Sequence, residues 1–333
     1  MARYRIMHAA FERLRFWDAM TTPETRRAYS AAHFLLELEK DEVAGFFRSI
    51  DGGGVKAEIL TYRSGRDPGS LWRQLGKPTH EDITVEVGMS MSDSFYKWLE
   101  GFFSGDVERK SGAIVAADFH YKERARREFE DALISELRFP TLDATDNSPC
   151  TMGVTLVPEK LRFEPGSMRS LEPHVGSTAQ KLWTPANFSM SIDGFEDACR
   201  RITKIEGFSI QQEIHEYHAG QLREPMRVPG MLEFPNLQFS LPEADARPLI
   251  EHFTKHVIRG DPQADGRHGG TITMRDHHGD ELCSISLAGV DIADITPEKS
   301  DASSEEIKQV KVEISVERMA LSYASSSAGA TAS

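Results

Sequence analysis

The stretch "GGGVKAEILTYRSG" (52–65) comes back 155 residues later as "GFSIQQEIHEYHAG" (207–220). Five of the fourteen aligned positions are identical: Gly52/Gly207, Glu58/Glu213, Ile59/Ile214, Tyr62/Tyr217 and Gly65/Gly220. At average residue usage about one match is expected by chance. Self-similarity at a long fixed period marks a chain built from copies of one folding unit. The 333 residues therefore divide into two domains, each long enough to bury its own core.

The register continues outside the signature. Phe34 in "HFLLELEKDEVAGF" aligns with Phe188 in "NFSMSIDGFEDACR". "ITVEV" (83–87) aligns with "LQFSL" (237–241), and both alternate apolar and polar, the period of a strand with one buried face. In "SDSFYKWLEGFF" and "ARPLIEHFTKHV", Phe95, Leu99 and Phe103 fall on Leu249, Phe253 and Val257. A spacing of four lines one helical face, and Ser92 or Asp93 suits the N-cap. "MGVTLVPEKL" (152–161) then aligns with "VKVEISVERM" (310–319). Each half thus predicts two strands, a long loop, a strand, one helix and a final group of strands. The expected boundaries are an N-terminal arm (1–30), a first domain (31–163), a Pro/Gly/Ser-rich linker (164–182) and a second domain (183–323). The low-complexity tail (324–333) is expected to be disordered.

Composition narrows the function. A net charge of −13 argues against a nucleic-acid-binding surface, so no sequence-specific nucleic-acid partner is expected. No apolar run is long enough for a membrane span, and the arginines within "MARYRIMHAAFERLRFWDAM" exclude a secretory signal. Cys150, Cys199 and Cys283 show no metal or disulfide spacing, which suits a reducing cytoplasm. "RDHHGDEL" (275–282) reads as a hairpin turn rather than a metal cluster, because adjacent histidines on a strand point to opposite faces. "DGGG" (51–54) lacks the GxxxxGK-Ser/Thr pattern of a phosphate loop, and "GGGVK" does not open a helix. It reads as a turn in which Gly52, like Gly207, adopts a positive φ. No GxSxG or HExxH motif is present, so no catalytic, cofactor or metal residue is assigned.

The order of these motifs resembles the tail tube protein family of contractile phages and phage-derived contractile injection systems. The resemblance runs over roughly residues 31–163 and 183–323, with His252 standing where repeat one has the helical Trp98. It implies a mainly β fold: two tandem tail-tube-like β-barrel or sandwich domains, each flanked by one helix. It also implies modules that meet edge to edge in rings of six, and a loop after the Tyr strand that reaches a neighbour. On that basis Arg63, Arg66, Trp72, Arg73, Arg223 and Arg227 are the expected subunit or ring contacts. Arginine and tryptophan are enriched at interface centres. Gly52, Glu58, Tyr62, Gly65, Gly207, Glu213, Tyr217 and Gly220 form the repeat signature.

Two modules per chain allow three chains to make one pseudo-hexameric ring or six chains to span two rings. The trimer is favoured, because it matches six-fold symmetry to three-fold. The expected role is a non-enzymatic structural ring, of the tube itself or of the tube-to-hub adaptor. It would be assembled in the bacterial cytoplasm with tube, hub, sheath or baseplate proteins. The alternatives are a carrier that does not polymerise and a β-barrel binding protein or enzyme.

Overall fold

The computed structural model describes residues 30–39, 42–63, 71–171, 183–220, 224–260, 267–298 and 307–324. The N-terminal arm, the tail after Ala324, and the predicted site residues Gly65, Arg66 and Arg223 lie outside the described residues.

Module 1 is a run of antiparallel strands: β1 (His33–Leu38), β2 (Glu42–Phe47), β3 (Ser49–Gly52), β4 (Val55–Arg63), β5 (Leu71–His80) and β6 (Ile83–Val87). Helix α1 (Asp93–Ser104) follows, then β7 (Lys110–Ala117), β8 (Glu123–Phe139), β9 (Leu142–Asp143), β10 (Met152–Val157) and β11 (Lys160–Pro165). The sheet order is β2-β1-β7-β8-β10-β6-β3, with β11 added on β8. The long β8 makes the corner. Its first half pairs with β7 and β11 and its second half with β10. Between the halves Asp131 takes a positive φ of 51°, an irregularity of the kind that lets one strand serve two sheets.

Module 2 repeats this plan in register, except that a short helix stands where module 1 has β2 and where the sequence reading expected a strand. Its elements are β12 (Trp183–Ile192), α2 (Glu196–Cys199), β13 (Lys204–Ile205), β14 (Phe208–Tyr217), β15 (Met226–Glu233), β16 (Leu237–Pro242) and α3 (Arg247–Phe253). They continue as a π turn (Thr254–Ile258), β17 (His268–Asp276), β18 (Glu281–Pro297), β19 (Gln309–Ser315) and β20 (Arg318–Tyr323). Val154↔Leu137 in module 1 is matched by Val312↔Ile295 in module 2, and Ile114↔Arg127 by Ile272↔Ile285. Gly289, with φ 67°, stands where β8 has Asp131. A register fixed to the residue, bulges included, is what a duplicated alternating pattern produces.

The alternation read from sequence is realised. Ile83, Val85 and Val87 are buried while Thr84 and Glu86 face away, and Leu237, Phe239 and Leu241 are buried in module 2. Ser92 caps α1, accepting a hydrogen bond from the Phe95 N–H at 3.4 Å, and Gly105 ends it at φ 76°. Phe95, Trp98, Leu99, Phe102 and Phe103 are buried beneath it. Each such side chain contributes about 1.5–3 kcal/mol.

Helix α3 departs from the expected face. Leu249 is buried and Phe253 half-buried, but Val257 is 51% exposed on the π turn. His252 and His256 occupy the positions of Trp98 and Phe102, so the apolar stripe is broken beneath it.

The predicted long loop is also corrected. Leu71–His80 and Met226–Glu233 are strands that form ribbons with β4 and β14. The Gly and Pro residues that read as breakers sit at a bulge. Ala57 faces Pro78 and Ile59 faces Leu75, and Gly76 lies so close to Glu58 that a Cβ there would come within 3.2 Å of the Glu58 Cβ. Gly230 makes the same approach to Glu213. A two-stranded ribbon has open edges, where proline is tolerated.

Residues after β11 stay on module 1. Arg169 lies between two buried carboxylates, bonding Glu37 and, at 2.7 Å, Glu123. Arg126 holds the other Glu37 oxygen at 2.6 Å, and Leu171 is fully buried.

Candidate assembly interface

The two modules meet head to tail within one chain. The end of β8 runs antiparallel to the start of β14, pairing Phe139 with Phe208, Leu137 with Ile210 and Glu136 with Gln211. The Phe139 and Phe208 rings stack at 5.0 Å, and the Gln211 amide donates to Glu136 at 3.5 Å. Beside them β9 of module 1 pairs with β13 of module 2, setting Asp143 opposite Lys204. A module 1 strand thus extends the module 2 sheet and covers the edge of β13.

Gly207 occupies this crossing. It does not adopt the expected positive φ, whereas Gly52 does, at 79°. The demand at Gly207 is proximity, since a Cβ would lie 3.0 Å from the Phe139 carbonyl oxygen and 3.1 Å from the Thr141 nitrogen.

A second contact lies on the helix. Tyr323 of β20 stacks on Tyr96 of α1, its N–H donates to Glu100 at 3.0 Å and its hydroxyl to the Met89 carbonyl at 3.3 Å. Burial pushes the Tyr96 phenol well above its usual range, so it stays neutral.

The third contact holds a ribbon. Glu159, in the turn before β11, accepts from the Arg227 backbone N–H at 3.0 Å, and Arg109 donates to the Arg227 carbonyl at 2.5 Å. The Arg227 guanidinium pairs with Glu216 directly across the ribbon at 2.7 Å. The other ribbon's base lies close by. Burial pushes the Asp82 carboxyl up and the His80 imidazole down, and Arg227 lowers both.

The predicted contact residues therefore divide. Arg227 is engaged inside the chain, at the module junction. Trp72 lies opposite Tyr62 on the β4–β5 ribbon, 56% and 52% exposed, and Arg73 holds the place that Arg227 has in module 2. Arg63 ends β4. Of the signature, Glu58 and Glu213 mark the two bulges, Tyr62 and Tyr217 lie exposed on the ribbons, and Gly220 stands free of close neighbours. Sequence reasoning did not find Tyr96, Tyr323, Arg109 or Glu159. The Arg109 and Glu159 signal was present, because both recur in repeat two as Arg267 and Glu317.

"RDHHGDEL" is a hairpin turn, with the Asp276 carboxylate accepting from the His278 and Asp280 N–H groups at 2.8 and 2.9 Å. No disulfide joins the three cysteines, and burial pushes the Cys150 and Cys199 thiols up to about 12 and about 11, away from thiolate chemistry.

The family model described as T4-like virus tail tube protein gp19 matches twice, over residues 30–162 and 184–320. The chain belongs to this tail tube family. Both tail tube segments coincide with the observed modules, so the tandem duplication holds for sequence and fold alike. A search of curated proteins returned no match. Among solved structures, this tail tube protein is similar to the anti-feeding prophage tube-terminating cap, at 20% identity over 44% of this chain and 96% of the other, TM-score 0.37. It is likewise similar to a chain of the PVC extracellular contractile injection system sheath-tube complex, at 18% identity over 44% and 99%, TM-score 0.37. A third is Hcp1 from Flavobacterium johnsoniae, at 11% identity over 41% and 96%, TM-score 0.25.

Proposed function

We propose that this chain is a non-enzymatic structural ring of a contractile tail or injection particle, three chains closing a ring of six modules. The observation that carries this reading is the in-chain junction. It is heterologous, since the α1 and β8 side of one module meets the β14 and β20 side of the other. A heterologous contact repeats, and it closes into a ring where the rotation permits. The family resemblance implies six modules per ring, hence three chains. The ring serves as a segment of the inner tube or as the adaptor between tube and hub. Its partners are the tube, hub, sheath or baseplate proteins of the same particle, with assembly in the bacterial cytoplasm before incorporation.

The exposed tip of the β4–β5 ribbon, with Tyr62 and Trp72, is the surface for a neighbouring ring, together with Arg63, Arg66 and Arg223, while Arg73 faces the next chain of the same ring. Aromatic side chains grouped on an exposed ribbon suit such a contact.

Light-scattering mass on the purified chain, followed by negative-stain images of the same fraction, tests the reading. A mass of three chains with single rings supports it. A single-chain mass at high concentration overturns it in favour of a carrier that does not polymerise.

A further inference from the structure

Two side chains of module 1 hold one backbone residue of module 2: Glu159 takes the N–H of Arg227 and Arg109 its carbonyl. The holding pair is itself in contact, Arg109 Nε to Glu159 Oε1 at 3.7 Å. Module 2 carries the same pair. Arg267 and Glu317 occupy the corresponding positions, also 3.7 Å apart, but they are 77% and 61% exposed against 37% and 16% for Arg109 and Glu159.

The strand edges repeat the relationship. Glu136–Phe139 of β8 pairs with β10 on one edge and β14 on the other. Asp294–Pro297 of β18 pairs with β19 on one edge, and among the described residues no strand lies on the other. In module 1, β4 pairs with β5 alone among the described residues, and Arg73 lies opposite Thr61 as Arg227 lies opposite Glu216. One end of the molecule carries the holding groups, and the other carries the backbone they hold in the built junction. In a head-to-tail pair of modules the two unused faces are the outer ones.

We infer that Arg267 and Glu317 clamp the backbone of Arg73 in a second copy of this chain, while β18 of the first copy pairs with β4 of the second. The inference rests on the ring reading above and adds the register. The in-chain pairing predicts Ile295 opposite Val55 and Asp294 opposite Lys56, where the built junction has Leu137 opposite Ile210 and Glu136 opposite Gln211. Opposite charges at Asp294 and Lys56 replace a hydrogen bond, which favours this register over a slipped one. Two features make the contact between copies weaker than the one within the chain. The stacked Phe139–Phe208 pair has Pro297 and Gly53 as its counterpart. Glu81 also covers the β4 edge, accepting from the Gly54 N–H at 3.2 Å and pairing with Lys56, so it must swing aside.

Arg267→Ala and Glu317→Ala test the clamp, because both side chains are exposed and neither substitution disturbs a core. Each is expected to weaken self-association by at least about tenfold in sedimentation equilibrium, with an unchanged melting temperature. Val55→Cys combined with Ile295→Cys is expected to give chain-to-chain disulfides on oxidation. Ala57→Cys with Ile295→Cys, out of register, and each single variant are not. Wild-type rings with undiminished assembly in both alanine variants and no 55–295 cross-link would overturn the clamp and leave the ring reading intact. A wild-type chain that never self-associates would overturn both.

Discussion

Tyr96 and Tyr323 lie face to face across the module boundary, with ring centroids 3.4 Å apart and planes 8° from parallel. They are 227 residues apart in sequence, one on the module 1 helix and one on the last described strand. The stack ties the end of the fold to its first half. Tyr323→Ala is expected to destabilise the chain by about 3 kcal/mol, since it removes a packed ring and leaves the Met89 carbonyl without its donor. Urea denaturation reads this out, and a loss below about 0.5 kcal/mol would show that the helix does not depend on β20.

Arg169 neutralises two nearly inaccessible carboxylates, Glu37 and Glu123. Arg169→Ala leaves Glu123 without its cation and Glu37 with Arg126 alone. The expected cost is about 3–5 kcal/mol, the range for breaking a buried pair by removing one partner. The double substitution Glu37→Gln with Arg169→Ala should recover part of it, and a denaturation series on the three proteins decides the matter.

Acid is expected to destabilise module 2 through His252. His252 packs against Phe195, His256 and His268, with centroids 5.2, 5.8 and 5.1 Å away. Burial pushes its imidazole below the ordinary 6.5, and the charges of His268 and His256 push the same way, while Asp291, paired with His256 at 3.2 Å, opposes them. The folded chain therefore binds fewer protons than the unfolded chain once the pH falls below 6.5. Stability from this group is complete above that pH and is lost as acid is added, until the folded imidazole itself titrates. His80, lowered by burial, adds in the same direction. Denaturation midpoints are expected to fall as the pH is taken below 6.5, and less steeply in His252→Phe. Equal slopes in the two proteins would remove His252 from the account.

Gly207 opens and Gly220 closes the repeat signature of module 2, but the two are not equally demanding. Gly207→Ala places a methyl about 3.0 Å from backbone atoms of module 1 and is expected to cost about 1–3 kcal/mol. Gly220→Ala meets nothing within 4 Å among the described residues and is expected to be neutral. Matching melting temperatures for the two variants would mean the junction yields easily.

Much of this was legible because the duplication supplies its own control. A pattern seen once, such as "ITVEV", is a guess; seen again as "LQFSL" at the same distance from a helix, it fixes a register. The Ser92 cap and the Asp276 hairpin follow from local hydrogen-bonding chemistry and were readable for that reason. The β5 and β15 strands were not, because Gly76, Pro78, Pro229 and Gly230 are breakers by composition and become acceptable only at a bulge in a ribbon with open edges. The Glu37–Arg169–Glu123 cluster joins residues far apart in sequence, and no periodic signal marks it. Gly207 was read as a conformational glycine, whereas its backbone is ordinary and its smallness serves another part of the chain.

The β8–β14 contact has a kinetic consequence. Its two strands sit on one polypeptide, so they meet at an effective concentration set by the intervening chain rather than by the number of molecules in solution. Dilution cannot undo it, and no encounter between molecules is needed to make it. In a closed ring of three such chains, half of the junctions would be finished when folding ends, and only the other half would wait on collision.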